Sequence, residues 1–132
     1  MPTPVPVDHL GLSPERTAPA SSAVPFAELH AVSSYSFLDG ASEPEDMVAR
    51  ACDLGLRALS LTDRDGFYGV AKFAETAALS GLPTVFGAEL TLGEASLIDV
   101  IPNRRILPVL ARGPEGYRRL SRLIAQARMD AG

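Results

Sequence analysis

His30, Asp39, Asp63, Arg64, Asp65 and Glu89 are the residues of this 132-residue chain whose types and spacing could do chemistry together. Clustered imidazole and carboxylate groups hold hydrolytic divalent metals, provided that positions stay open for water and a phosphate oxygen. Two histidines one residue apart on a strand point to the same side and grip one ion between them. Here Val32 stands two residues beyond His30, so the metal-binding corner lacks one post, because valine has no lone pair to offer. Other schemes find less support. His9 is the only other histidine and lies in a proline-rich opening, so no Ser-His-Asp arrangement is singled out. Neither Walker nor dinucleotide glycine spacing occurs. Cys52 has no local motif that would activate its thiol and reads as a small apolar residue on a helix.

Positioning these side chains requires alternating strands and helices. Phe26 to Val32 reads as a strand, with Glu28, His30 and Val32 on one face. The turn Ser33-Ser-Tyr-Ser-Phe-Leu-Asp-Gly-Ala-Ser42 follows. Ser42 lies three residues before Glu45, as in a capping box, and opens a helix to about Leu54 with a stripe of Met47, Val48, Ala51 and Leu54 and a stop at Gly55. A second strand, Arg57 to Thr62, ends in Thr-Asp-Arg-Asp-Gly, and Asp65-Gly66 is a turn signal. Val70 to Ser80 is a second helix, with Val70, Phe73, Ala74 and Ala77 inward and Gly81 as its stop. Thr84 to Phe86 starts a third strand that leads to Glu89 and on through Leu92. The runs Leu97 to Ile101 and Ile106 to Ala111 are further strand candidates, and Pro108 assigns the latter to an edge or a bulge. Pro114 to Arg128 is a last helix with Tyr117, Leu120, Leu123, Ile124 and Ala127 at helical spacing. The pattern predicts an α/β fold with a mainly parallel sheet. In such barrels functional groups gather at the carboxyl ends of strands, where the six polar residues fall.

The phrases SFLDGAS, GLPTVFGAEL and PEGYRRLSRLI, with Leu59-Ser-Leu-Thr-Asp-Arg-Asp-Gly66 and Val85-Phe-Gly-Ala-Glu89, resemble the polymerase and histidinol phosphatase (PHP) domain over Pro25 to Ala127. The wording is closest to the form that opens the error-prone alpha subunits of bacterial C-family DNA polymerases. The resemblance implies a (βα) barrel and five metal-ligand positions in the matched segments. His30, Asp39 and Glu89 stand at the first, third and fifth; Val32 and Arg64 stand at the second and fourth. The three retained residues would form at most a weak single site for Zn, Mn or Mg. Alternatively they are remnants, with no cofactor and no catalytic role, in which Arg64 replaces the lost metal charge by pairing with Asp39 or Glu89. The remnant reading is the expectation. The implied function is an amino-terminal segment of an error-prone polymerase serving DNA replication and translesion synthesis, structural by itself. Its partners would be the rest of the polymerase chain or replication and mutagenesis accessory proteins, with DNA met indirectly. A stand-alone PHP-type metal-dependent phosphoesterase is the alternative, and a non-functional gene fragment a third reading.

Length and composition bound these readings. The chain allows one domain, and its 46% hydrophobic content is in the globular range. Six of its eleven prolines lie in the first 25 residues, so residues 1–24 are expected to be a disordered leader and residues 25–132 the amino-terminal part of a PHP-like domain. A full barrel needs about 200 residues or more, so an incomplete one is expected. No stretch has the length of a membrane span or the form of a secretory signal, and one cysteine fits a reducing compartment, so a cytoplasmic location is expected. Net charge is −4, yet residues 104–132 hold seven arginines against two acidic residues. That asymmetry reads as a solvated helix face or as a surface for nucleic acid or an acidic partner.

Overall fold

The computed structural model describes residues 24–92 and 105–131. Seven elements follow in order: β1 (Glu28–Ala31), α1 (Pro44–Asp53), β2 (Leu59–Leu61), α2 (Val70–Ser80), β3 (Thr84–Leu92), β4 (Arg105–Leu110) and α3 (Gly113–Asp130). The sheet order is β1-β2-β3-β4; β2 pairs parallel with β1 and β3, and β4 runs antiparallel to β3. This is the expected α/β partial barrel with a mainly parallel sheet. The expected leader, apart from Val24, and the candidate strand Leu97 to Ile101 lie outside the described residues.

The core forms where the apolar stripes of α1 and α2 meet the sheet. Val48, Ala51, Leu59, Leu61, Phe73, Ala77 and Leu82 are buried together, with Ala31, Met47, Leu56 and Phe86 packed against them. Phe73 and Phe86 meet edge to face at 6.0 Å between ring centres, a favoured aromatic geometry. α2 ends as expected at Gly81, whose φ of 69° suits a residue without a Cβ. Leu54, expected on the buried stripe of α1, is exposed because it is the cap residue beyond the last turn, where the chain leaves the helix toward Gly55. The capping box is also replaced. The N-cap is Glu43, without a side-chain cap, and Pro44 opens the helix. Ser42 instead lends its carbonyl to the Ser34 amide at 2.8 Å, which ties the preceding turn together.

β1 is shorter than predicted and excludes Val32. Its register against β2 shifts between Glu28, opposite Leu59, and Ala31, opposite Leu61. Three residues of β1 therefore advance against two of β2, and the strict alternation of Glu28, His30 and Val32 is interrupted; bulges commonly re-aim side chains in this way. α3 lies with Leu120 buried and Tyr117 tilted against Phe67 at 4.6 Å and edge to face with Phe86 at 6.0 Å between ring centres. Leu123, expected inward, is exposed because the inner stripe runs Tyr117, Leu120, Ile124 and Arg128, leaving Leu123 on its flank. Arg118 and Arg119 pair with Glu115 at 3.2 and 3.0 Å on the solvated face. Cys52 is on α1, but on its exposed side.

Candidate functional site

The site is assembled at the carboxyl ends of β1, β2 and β3 by one buried carboxylate. Asp63, only 1% exposed, accepts hydrogen bonds from the Ser33 amide at 2.8 Å and from the hydroxyls of Ser33 and Ser36 at 2.9 Å. A carboxylate taken from water must recover its lost solvation from such donors. The consequence is local: the turn from Ser33 to Gly40 is pinned to the end of β2 although about 27 residues separate the partners. Ser36 also accepts from the Arg64 amide at 3.0 Å, so the same hydroxyl fixes both the turn and the backbone that carries Arg64. Gly40 completes the turn by close approach. A Cβ there would fall 1.9 Å from the Ser33 carbonyl oxygen, far inside van der Waals contact.

Beyond β2 the chain continues alongside β3. The Glu89 amide donates to the Asp63 carbonyl at 3.0 Å and the Asp65 amide to the Glu89 carbonyl at 2.7 Å, which makes Arg64 and Glu89 a parallel bridge pair. Asp65, at φ 50°, turns its carboxylate onto Thr91, accepting from its amide and hydroxyl at 2.7 Å each. Asp63 and Asp65 are thus turn-forming residues as expected from the Asp-Gly signal, while the burial of Asp63 and its serine cage were not readable. A pattern of serines two loops away has meaning only once the loops are brought together.

On this frame four side chains form a continuous polar chain. The His30 Nε2 contacts Glu89 Oε1; Arg64 Nη2 lies 3.4 Å from Glu89 Oε2; and Arg64 Nη1 pairs with Asp39 Oδ2. The order is therefore His30, Glu89, Arg64, Asp39, with Arg64 between the two acids. Glu89 is buried and His30 is half exposed. Val32, at the second position of the implied ligand set, adds no lone pair. Among the described residues no group of three or more His, Cys, Asp or Glu side chains is arranged to hold a metal ion. The arrangement thus sets Arg64 between two carboxylates, one of which also contacts His30.

Comparisons with known proteins identify the family and the fold. The sequence profile of the PHP domain matches residues 28–131. The chain is 66% identical over 108 residues to an error-prone DNA polymerase of Corynebacterium diphtheriae, covering 82% of this chain and 10% of that protein. It is 58% identical over 112 residues to an error-prone DNA polymerase of Mycobacterium tuberculosis, covering 84% and 10%. The chain thus spans about a tenth of the length of these curated relatives. Among solved structures, a Bifidobacterium adolescentis protein proposed to be a metal-dependent phosphoesterase superposes with a TM-score of 0.59 at 24% identity, covering 80% of this chain and 34% of that one. An amidohydrolase from Chromobacterium violaceum, with bound sulfate and no metal, superposes with a TM-score of 0.50 at 30% identity, covering 64% and 26%.

Proposed function

This chain belongs to the PHP domain family, and from that premise we propose that it is the amino-terminal PHP segment of an error-prone DNA polymerase, structural rather than hydrolytic. Its task would be to stabilise and orient the polymerase during replication and damage-tolerant synthesis. The observation that carries the structural part is the placement of Arg64 between Asp39 and Glu89. A guanidinium is charged at every relevant pH. It neutralises the two carboxylates that would otherwise repel one another, which is the electrostatic task a divalent cation performs in a hydrolytic site. A cation entering the same space would meet a fixed positive charge and find the lone pairs of Asp39 and Glu89 already engaged. The donor set present does not fit a divalent metal, so no hydrolytic step is assigned to it.

The polymerase part rests on the identity to the corynebacterial and mycobacterial polymerases. The partner would be the remainder of a longer polymerase chain, with accessory proteins of replication or mutagenesis beyond it and DNA contacted only through them. No helix among the described residues is long and apolar enough to cross a membrane, and a polymerase acting on the chromosome would work in the cytoplasm. The alternative, a stand-alone phosphoesterase that depends on zinc, manganese or magnesium, draws on the solved fold relative but has to function with Val32 and Arg64 in the ligand set.

Two measurements test the proposal. Elemental analysis of the purified chain should find less than one tightly bound divalent metal per molecule, and a generic phosphodiester should be hydrolysed no faster than background. Two stoichiometric metals, with hydrolysis abolished by His30→Ala, would overturn the structural reading. An antibody raised against residues 113–131 should detect in cell extracts a product roughly ten times as long as this chain, as the relatives imply. A product of 132 residues alone would overturn the polymerase reading while leaving the site's charge arrangement untouched.

A further inference from the structure

α3 is held lightly for its length. Of its eighteen residues only Leu120 is buried, and Tyr117 anchors one end through Phe67 and Phe86. Beyond Leu120 the apolar contribution narrows to the half-buried Ile124. Arg128 lies eleven residues after Tyr117, three turns along the same stripe and about 16 Å away at 1.5 Å per residue. There its Nη2 donates to the Asp65 carbonyl at 2.8 Å and contacts the Tyr68 hydroxyl, while the guanidinium stands 5.4 Å from the centre of the Tyr68 ring. The residues it grips are those of the site turn. Asp65 follows Arg64 directly, has a left-handed φ of 50°, and is tied by its carboxylate to Thr91.

We propose that Arg128 is a positioning residue that couples the arginine-rich helix α3 to the His30–Glu89–Arg64–Asp39 chain. Asp65 is the pivot. Its amide is bound to the Glu89 carbonyl and its side chain to Thr91, so its carbonyl is the one backbone group of this residue left to be oriented from outside β3. Arg128 sets that carbonyl, and with it the plane of the Asp65–Gly66 peptide; the link to Arg64 runs through Asp65 itself, whose amide holds the adjoining Arg64–Asp65 peptide against Glu89. The Tyr68 hydroxyl and ring hold the guanidinium in place; both polar contacts come from the single nitrogen Nη2, so an ammonium keeps the charge and the donors but not the planar guanidinium beside the Tyr68 ring. Coupling of this kind is reciprocal, so weakening the site turn also loosens the last turns of α3. The inference concerns the geometry of the site and does not depend on the polymerase reading.

Amide hydrogen exchange on the full chain tests it, read by NMR together with the Arg64 side-chain N–H signals. Arg128→Ala should speed exchange at residues 64–68 and 89–91 about tenfold, equivalent to 1.4 kcal/mol, and broaden the Arg64 guanidinium signals, with α1 unchanged. Arg128→Lys should restore protection in part, and Arg122→Ala, on the solvated face, should change neither region. Arg64→Ala should in turn accelerate exchange at residues 125–129. Effects of Arg128→Ala confined to α3, with residues 64–68 and the Arg64 signals unaltered, would overturn the proposal. Should Arg128→Ala unfold the chain, Tyr68→Phe removes only the hydroxyl partner. It should then give a smaller acceleration at residues 64–68, and the absence of any change there would count against the coupling.

Discussion

Arg64 and Asp63 are neighbours in sequence with opposite tasks at the site. Asp63 faces inward and gathers the Ser33 and Ser36 donors; Arg64 lies between two acids. Removing either should be felt differently. Arg64→Ala deletes charge-assisted hydrogen bonds and leaves Asp39 and Glu89 facing one another, and should lower unfolding free energy by about 1 to 3 kcal/mol in urea denaturation. Asp63→Asn keeps the shape and an oxygen for the Ser33 amide and the two hydroxyls, but it replaces Oδ2, which accepts from the Ser33 hydroxyl, with a donor and removes the charge that strengthens these bonds. A loss of about 2 to 3 kcal/mol is expected, with increased mobility confined to residues 33–40; an effect below 0.5 kcal/mol would show that the serine cage does not hold the turn. That Arg64 would pair with Asp39 or Glu89 was legible in the sequence because a cation at an implied ligand position has few options. The pairing of both acids at once was not, since it depends on the parallel bridge that sets Arg64 beside Glu89.

At the scale of elements, what was legible follows from local rules. α2 emerged with its predicted bounds because its stripe and its Gly81 stop are encoded within a dozen residues. The β1 bulge and the start of α1 were not, because each is decided by a partner: the bulge by register against β2, and the cap by Ser42 being drawn into the preceding turn. Two glycines separate conformational from steric demands. At Gly81 nothing lies within 4 Å of a new Cβ, so Gly81→Ala should destabilise by only about 1 kcal/mol, the strain of a left-handed φ. At Gly40 the Ser33 carbonyl blocks the Cβ, so Gly40→Ala should exceed it, by about 2 kcal/mol or more, and should displace Asp39 from Arg64. Thermal unfolding of both variants checks the order; equal losses would mean that the turn relaxes freely.

For the molecule as a whole, β1 and β4 are the edge strands of the sheet among the described residues, and an apolar groove of about 880 Å³, lined by Val70, Ala74, Val85, Phe86, Leu110 and Tyr117 among others, opens between α2 and the start of α3. Unpaired edges and apolar surface favour association. The chain by itself should therefore show concentration-dependent self-association in sedimentation, and a monodisperse monomer melting cooperatively above about 60 °C would contradict this expectation.

Whether a guanidinium stands where the resemblance implies metal charge can be read from the thermal midpoint of the unmodified chain with and without EDTA. A charge fixed by Arg64 cannot be chelated, so the midpoint should stay within about 1 °C. A tightly bound ion at a hundred times its dissociation constant would contribute about 2.7 kcal/mol, which for a domain of this size corresponds to roughly 10 °C. A fall of that order on adding EDTA, reversed by zinc or manganese, would show that a bound ion and not Arg64 supplies the charge.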